Sequence, residues 1–166
     1  MNIVGIVGWR NSGKTTLIAR LIGIFSERGI SVSTIKHAHH AFDIDHPGKD
    51  SFLHREAGAH EVLVASSRRW ALMHEIGEGE EPALEEHLAR LAPVDLVIVE
   101  GYKRHPHIKL EVRRDGQEAP ALADGDEDIV AVIADFPLPD SAIPVLPLND
   151  PPAVAHFIAE YFKLNV

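Results

Sequence analysis

Residues 3–7 (IVGIV) are almost continuously apolar, the pattern of a strand covered on both faces. Beyond them Leu17, Ile18, Leu21, Ile22 and Phe25 recur at helical spacing through residues 14–28, and Gly29 sits where a left-handed C-terminal cap belongs. A second strand is predicted at 32–35, then a histidine-rich loop and a short helix near 51–57. Residues 61–65 and 70–74 are expected to pair as a hairpin turning through Ser66, Ser67 and Arg68. A helical pattern covers 82–91, with Pro82 suited to its first turn, and residues 96–99 are all aliphatic, another buried strand. Ile108, Leu110 and Val112 alternate with Lys109, Glu111 and Arg113, which predicts a strand with one wet face. Residues 124–128 read as a solvated acidic loop, 129–133 as a buried strand, and 154–162 as a closing helix after Pro151 and Pro152. Strands alternate with helices, interrupted by hairpin-like pairs, and no internal repeat stands out. The fold class is α/β, with a mostly parallel sheet and antiparallel additions.

Composition narrows this picture. The 166 residues, 45% of them hydrophobic, suit one domain spanning 1–166. Cysteine is absent, so disulfides and thiolate metal sites are excluded, and a reducing cytoplasmic setting is expected. No apolar stretch approaches the roughly 20 residues that cross a bilayer, and no secretory pattern is present at the amino terminus, so no membrane partner is expected. A net charge of -9 opposes nucleic-acid binding. Any anion must be held by a local arrangement.

Residues 8–15, GWRNSGKT, supply one: they match G-x-x-x-x-G-K-[ST], the phosphate-binding loop, with a predicted strand before and a helix after. Gly8 and Gly13 let the backbone close around phosphate, and Arg10, Asn11, Ser12 and Thr16 complete the contact set. Lys14 is expected to reach the β and γ phosphates, and the Thr15 hydroxyl to hold Mg²⁺. The fold expected is therefore the three-layer P-loop NTPase type, with hairpin strands added to a mostly parallel sheet. In such sheets ligands gather beyond the carboxyl ends of strands. Asp95 and Glu100 flank residues 96–99, about 16 Å apart at roughly 3.3 Å per residue, so Glu100 alone stands near the loop. Glu100 is the candidate to position Mg²⁺ or its water, and with Lys14 forms the catalytic pair; Asp95 has a structural role. Lys36 and His37 end the second strand, while Lys103 and Arg104 follow Glu100 and Gly101. Together with Arg10 they place a phosphate-directed field on one edge of an acidic protein.

The phosphate loop, KHAHHAFDIDHPGKDS (36–51) with REAGA (55–59), and VEGYK (99–103), in that order, resemble the molybdopterin-guanine dinucleotide biosynthesis protein B family. The resemblance implies a homodimeric GTP-binding accessory protein of weak GTPase activity. It would assist the guanylyltransferase that attaches GMP to the molybdopterin cofactor. It also implies that Gly13, Lys14 and Thr15 bind phosphate, and that Asp45, Lys49, Asp50 and Glu100 face the same site.

Three residue-level readings accompany it. Ras-like GTPases orient the attacking water with a glutamine, and the one glutamine here, Gln117, lies in a polar turn expected to be far from the motif-bearing strand ends, which predicts slow hydrolysis. An Asn-Lys-x-Asp guanine motif is absent; Asp135, ending the 129–133 strand, is either the acceptor of guanine N1–H and N2–H or an ordinary turn aspartate. His37, His39, His40 and His46 lie without cysteine on a loop following a strand end, which favours phosphate, cofactor or switch contacts over a dedicated metal site. Asp45, Asp50 and Ser51 are candidates to contact Mg²⁺ or its water from that loop; the alternative is that Lys49, Asp50 and Ser51 simply start a helix. The competing functions are a small-molecule kinase, with Glu100 as base, and a nickel-type metallochaperone GTPase.

Overall fold

The structure is a computed structural model and describes residues 1–38 and 42–165. In chain order its elements are β1 (Asn2–Val7), α1 (Lys14–Glu27), β2 (Val32–Lys36), α2 (Asp50–Glu56), β3 (Glu61–Ala65), β4 (Trp70–His74), α3 (Leu84–Arg90), β5 (Leu96–Glu100), β6 (Lys109–Arg113), β7 (Ile129–Ala134), β8 (Val145–Pro147) and α4 (Pro151–Phe162). They fall into two compact units, one of residues 1–37 with the chain from Leu84 onward, the other of residues 38–83.

In the larger unit six parallel strands lie in the order β2-β5-β1-β6-β7-β8. Strand side chains alternate between faces. Val4, Ile6, Ile98, Leu110 and Val112 accordingly join Leu21 and Phe25 of α1 and Ile158 of α4 in the main core. On the opposite face Val97 and Val99 pack with Leu84 and Leu88 of α3. Helix, sheet, helix is thus the layering of this unit. Each large apolar side chain buried this way contributes roughly 1.5–3 kcal/mol. Helix α4 begins with Pro151 and Pro152, whose missing N–H groups cost nothing in a first turn, and the Asp150 carboxylate caps it by accepting from Ala153 N at 3.1 Å. At the opposite edge from the phosphate loop, Asp95 accepts from Ser31 N at 2.8 Å and Ser31 Oγ at 2.6 Å, the structural role its position at the strand start predicts.

Strand β6 corrects the expectation of a wet face. It lies between β1 and β7, and Lys109 and Glu111 are 1% and 0% exposed. Their charges are met in place: Lys109 Nζ donates to Asp126 at 2.8 Å, Asp128 at 3.4 Å and the His105 carbonyl at 2.8 Å, while Glu111 accepts from Leu122 N at 2.9 Å and Ala123 N at 3.0 Å. The acidic run 124–128 is therefore not merely a solvated loop, since two of its carboxylates neutralise a buried lysine. The third helix begins at Leu84, leaving Pro82 outside it, and β8 was not anticipated.

The smaller unit holds α2 and the antiparallel β3–β4 hairpin, registered from Glu61↔His74 to Ala65↔Trp70. This pair makes a sheet of its own and does not extend the parallel one. Ser66 Oγ closes the turn, accepting from Arg68 N at 3.3 Å and Arg69 N at 3.2 Å. Arg55 ties the unit together, donating to Asp43 at 2.8 Å, Asp45 at 3.0 Å and Glu75 at 3.4 Å. No helix among the described residues is long and apolar enough to cross a membrane.

Candidate nucleotide-binding site

The chain leaves β1 through a loop that only particular backbone conformations can form. Gly8 has φ +146°, and a Cβ there would meet the Val112 carbonyl oxygen at 2.5 Å. Gly13 takes φ +96° at the amino end of α1, and Asn11 holds φ +63°, a left-handed value that asparagine tolerates better than most residues. The loop therefore makes a tight, concave turn at the positive end of a 14-residue helix, the setting in which backbone N–H groups bind phosphate.

Side chains converge on that concavity. Lys14 Nζ donates to the Trp9 carbonyl at 2.8 Å and Ser12 Oγ at 3.3 Å. Thr15 Oγ1 donates to Glu100 Oε1 at 3.0 Å, joining helix α1 to the carboxyl end of β5. The other oxygen of Glu100 lies 3.5 Å from Lys36 Nζ at the end of β2. Lys103 Nζ sits 4.2 Å from the centre of the Trp9 ring, a cation–π contact that holds its charge beside the loop. His37 N donates to the Glu100 carbonyl at 2.9 Å, and its ring lies 4.7 Å from that of Tyr102. Burial lowers the pKa of Lys14; Glu100 opposes this, while the nearby charges of Lys103 and Lys36 reinforce it. The same cause, burial, lowers that of Lys103, with Glu111 opposing.

The parallel sheet brings Gly8, Lys14, Thr15, Lys36, His37, Glu100, Gly101 and Lys103 to one edge because β1, β5 and β2 are neighbours running the same way. Asp135 lies just after β7, where its carboxylate accepts from Arg114 Nε at 3.3 Å and Asp115 N at 2.8 Å. Asp45, Lys49 and Asp50 belong to the smaller unit. There Asp45 pairs with Arg55, while Lys49 stands at the N-cap position of α2, without a side-chain cap, and Asp50 opens the helix, so this segment does start a helix. His39 and His40 lie outside the described residues. Among the described residues no group of three or more His, Asp or Glu is placed to hold a metal.

Two contacts were missed from the sequence. Trp9 Nε1 donates to the Pro120 carbonyl at 2.8 Å, and Gln117 Nε2 donates to the Arg10 carbonyl at 3.1 Å. Gln117 is thus hydrogen-bonded to the phosphate loop itself, against the expectation that it lies far off. Its other end accepts from Arg114 N at 3.3 Å, so both ends of the amide are committed to backbone groups. Nothing local marks a contact spanning 107 residues of sequence.

Known proteins resemble this chain along most of its length. A 38% identical relative from Escherichia coli strain K12, the molybdopterin-guanine dinucleotide biosynthesis adapter protein, aligns over 97% of this chain and 93% of its own length. The adapter protein of the same description from Haemophilus influenzae is also 38% identical, over 96% of this chain and 88% of its own. The crystal structure of a MobB protein homolog from Bacillus stearothermophilus superposes with a TM-score of 0.74 at 28% identity, covering 98% of this chain and 99% of that one. The family model described as Molybdopterin guanine dinucleotide synthesis protein B matches residues 3–135, which include every element from the phosphate loop to Asp135, and the chain belongs to that family.

Proposed function

We propose that the protein is a GTP-binding adapter of molybdopterin guanine dinucleotide synthesis. Working as a homodimer in the cytoplasm, it presents GTP or a GTP-dependent conformation to the guanylyltransferase acting on the molybdopterin cofactor. The observation that carries this reading is the Thr15–Glu100 contact at 3.0 Å beside the phosphate loop. A hydroxyl and a carboxylate at that separation are the oxygen donors Mg²⁺ takes from protein when phosphates and waters supply the rest. Thr15 and Glu100 would hold the ion, whose chemistry is to neutralise β and γ phosphate charge. Lys14 binds the same phosphates, Arg10, Asn11, Ser12, Gly13 and Thr16 line the loop, and Lys36, His37, Gly101 and Lys103 surround the γ position.

Hydrolysis is slow in this reading because Gln117 is tied to two backbone groups and does not orient water. A small-molecule kinase is disfavoured by the adapter relatives, and so is a metal-delivery GTPase. The test is reconstitution. With purified guanylyltransferase, molybdopterin and MgGTP, adding this protein should raise dinucleotide formation several-fold. No change at any protein ratio would remove the adapter role, and rapid phosphate transfer to a small acceptor would restore the kinase.

A pH effect follows from Lys14. Free, it releases its proton below the pH of an ordinary lysine because it is partly buried; next to bound triphosphate it keeps that proton. Binding therefore takes up protons between the two pKa values, and affinity falls as pH rises through the lower one. Calorimetry on the alkaline side, in two buffers of different ionisation enthalpy, should report proton uptake in wild type and none attributable to this position in Lys14→Met.

A further inference from the structure

Two adjoining cavities open beside the phosphate loop, and their walls change character with distance from it. The nearer, about 150 Å³, is lined by Gly13, Thr16, Arg20, Arg114 and Asn149 among others. The farther, about 360 Å³, shares Leu148 and Asn149 and is otherwise mostly hydrocarbon, chiefly Phe136, Pro137, Val145 and Leu146. A nucleotide carries the same order of chemistries: phosphate, then a polar sugar, then a flat base that is apolar on its faces and polar at its edge. Whatever extends from a phosphate seated at Gly13 enters the polar cavity first and the apolar one second.

Among the described residues, two polar side chains line the farther cavity, Asp135 and Asn149. The Asp135 carboxylate is oriented by Arg114 Nε and Asp115 N, one on each oxygen, and each oxygen retains a second lone pair. It can only accept. Asn149 follows β8 and precedes the Asp150 cap of α4. Its side-chain amide makes no hydrogen bond to the described residues, and it can both donate and accept. Guanine presents along one edge two donors, N1–H and N2–H, beside one acceptor, O6. Adenine presents an unprotonated N1 there, whose lone pair would face a carboxylate.

Building on the GTP reading above, we propose that Asn149 is a specificity-determining residue whose amide N–H donates to guanine O6 while Asp135 accepts from N1–H and N2–H. Arg20 and Arg114 flank the sugar and α phosphate in the nearer cavity. This division explains how a chain without an Asn-Lys-x-Asp motif reads guanine: the donor and the acceptor come from the ends of two adjacent parallel strands, β7 and β8.

The test compares GTP with 6-thio-GTP, which keeps both N–H donors but replaces O6 with a poor acceptor. Each is titrated with Mg²⁺ into wild type and Asn149→Ala. Wild type should bind the sulfur analogue about tenfold more weakly, and Asn149→Ala should bind GTP about tenfold more weakly than wild type does, the loss of one hydrogen bond in each case. The variant should bind the two nucleotides alike, because the same bond cannot be lost twice. Asn149→Asp, which sets a carboxylate against O6, should weaken GTP further than alanine does. A variant that still discriminates tenfold, or that binds GTP as tightly as wild type, overturns the assignment. Wild type binding GTP and ATP equally also overturns it while leaving the phosphate site intact; binding neither sinks the GTP reading as well. The Asp150 cap is untouched, so an unchanged thermal midpoint verifies that the variants are folded.

Discussion

Replacing Lys14 with alanine should weaken MgGTP binding by at least about a hundredfold while leaving the protein folded. Its ammonium is partly buried and donates directly to the phosphate loop, to the Trp9 carbonyl and Ser12 Oγ. Hydrogen bonds to charged groups contribute about 1.5–3 kcal/mol each, and truncating one partner of a desolvated charge pair costs about 2–5 kcal/mol, where 1.4 kcal/mol is tenfold in affinity. Arginine should not rescue the variant, since a planar fork cannot follow the path of an ammonium inside the loop. The loop geometry rests on Gly8, Gly13 and Asn11, so the thermal midpoint without nucleotide should move little, while its rise on adding MgGTP should vanish. A Lys14→Ala protein that still gains stability from MgGTP would show that the triphosphate sits elsewhere.

The second large effect concerns the fold. Lys109→Ala should destabilise the protein by about 3–5 kcal/mol, the cost of removing one partner from a buried charge cluster. Lys109 is 1% exposed, and its Nζ serves Asp126, Asp128 and a carbonyl. The substitution leaves two carboxylates facing a vacated space beside β1. For a chain of this length about 10 °C of melting temperature should be lost. Lys109→Met with Asp126→Asn and Asp128→Asn should recover much of the loss, because the stem volume returns and the uncompensated charges are gone. Urea midpoints at constant slope provide the measure, and a Lys109→Ala midpoint within error of wild type would mean that the cluster contributes nothing.

Local chemistry and distant chemistry were not equally legible in the sequence. The strand, loop and helix from Asn2 to Glu27 were readable because hydrophobic period, glycine placement and the Lys14–Thr15 pair all lie within one continuous stretch. Glu100 was readable for a geometric reason: strand ends in a parallel sheet share an edge, and the 3.0 Å contact with Thr15 realises that rule. Lys109 and Glu111 were misread because alternation reports only that two faces differ, not what covers the polar one. The carboxylates that meet Lys109 and the backbone N–H groups that meet Glu111 lie 11 to 19 residues downstream in segments with no regular period. Gln117 failed for the same reason at greater range. Strand β8, three residues ending in a proline, is too short for any periodicity to show, and it exists through pairing with β7.

The proposed function requires a magnesium triphosphate held between the loop and Glu100, and titration calorimetry of the wild-type protein with GTP, with and without Mg²⁺, tests this most directly. The account predicts one site per chain, with affinity that drops when magnesium is withheld and drops again when Glu100 is changed to glutamine. Binding of GTP with the same affinity in all three conditions, or no heat in any of them, would contradict it.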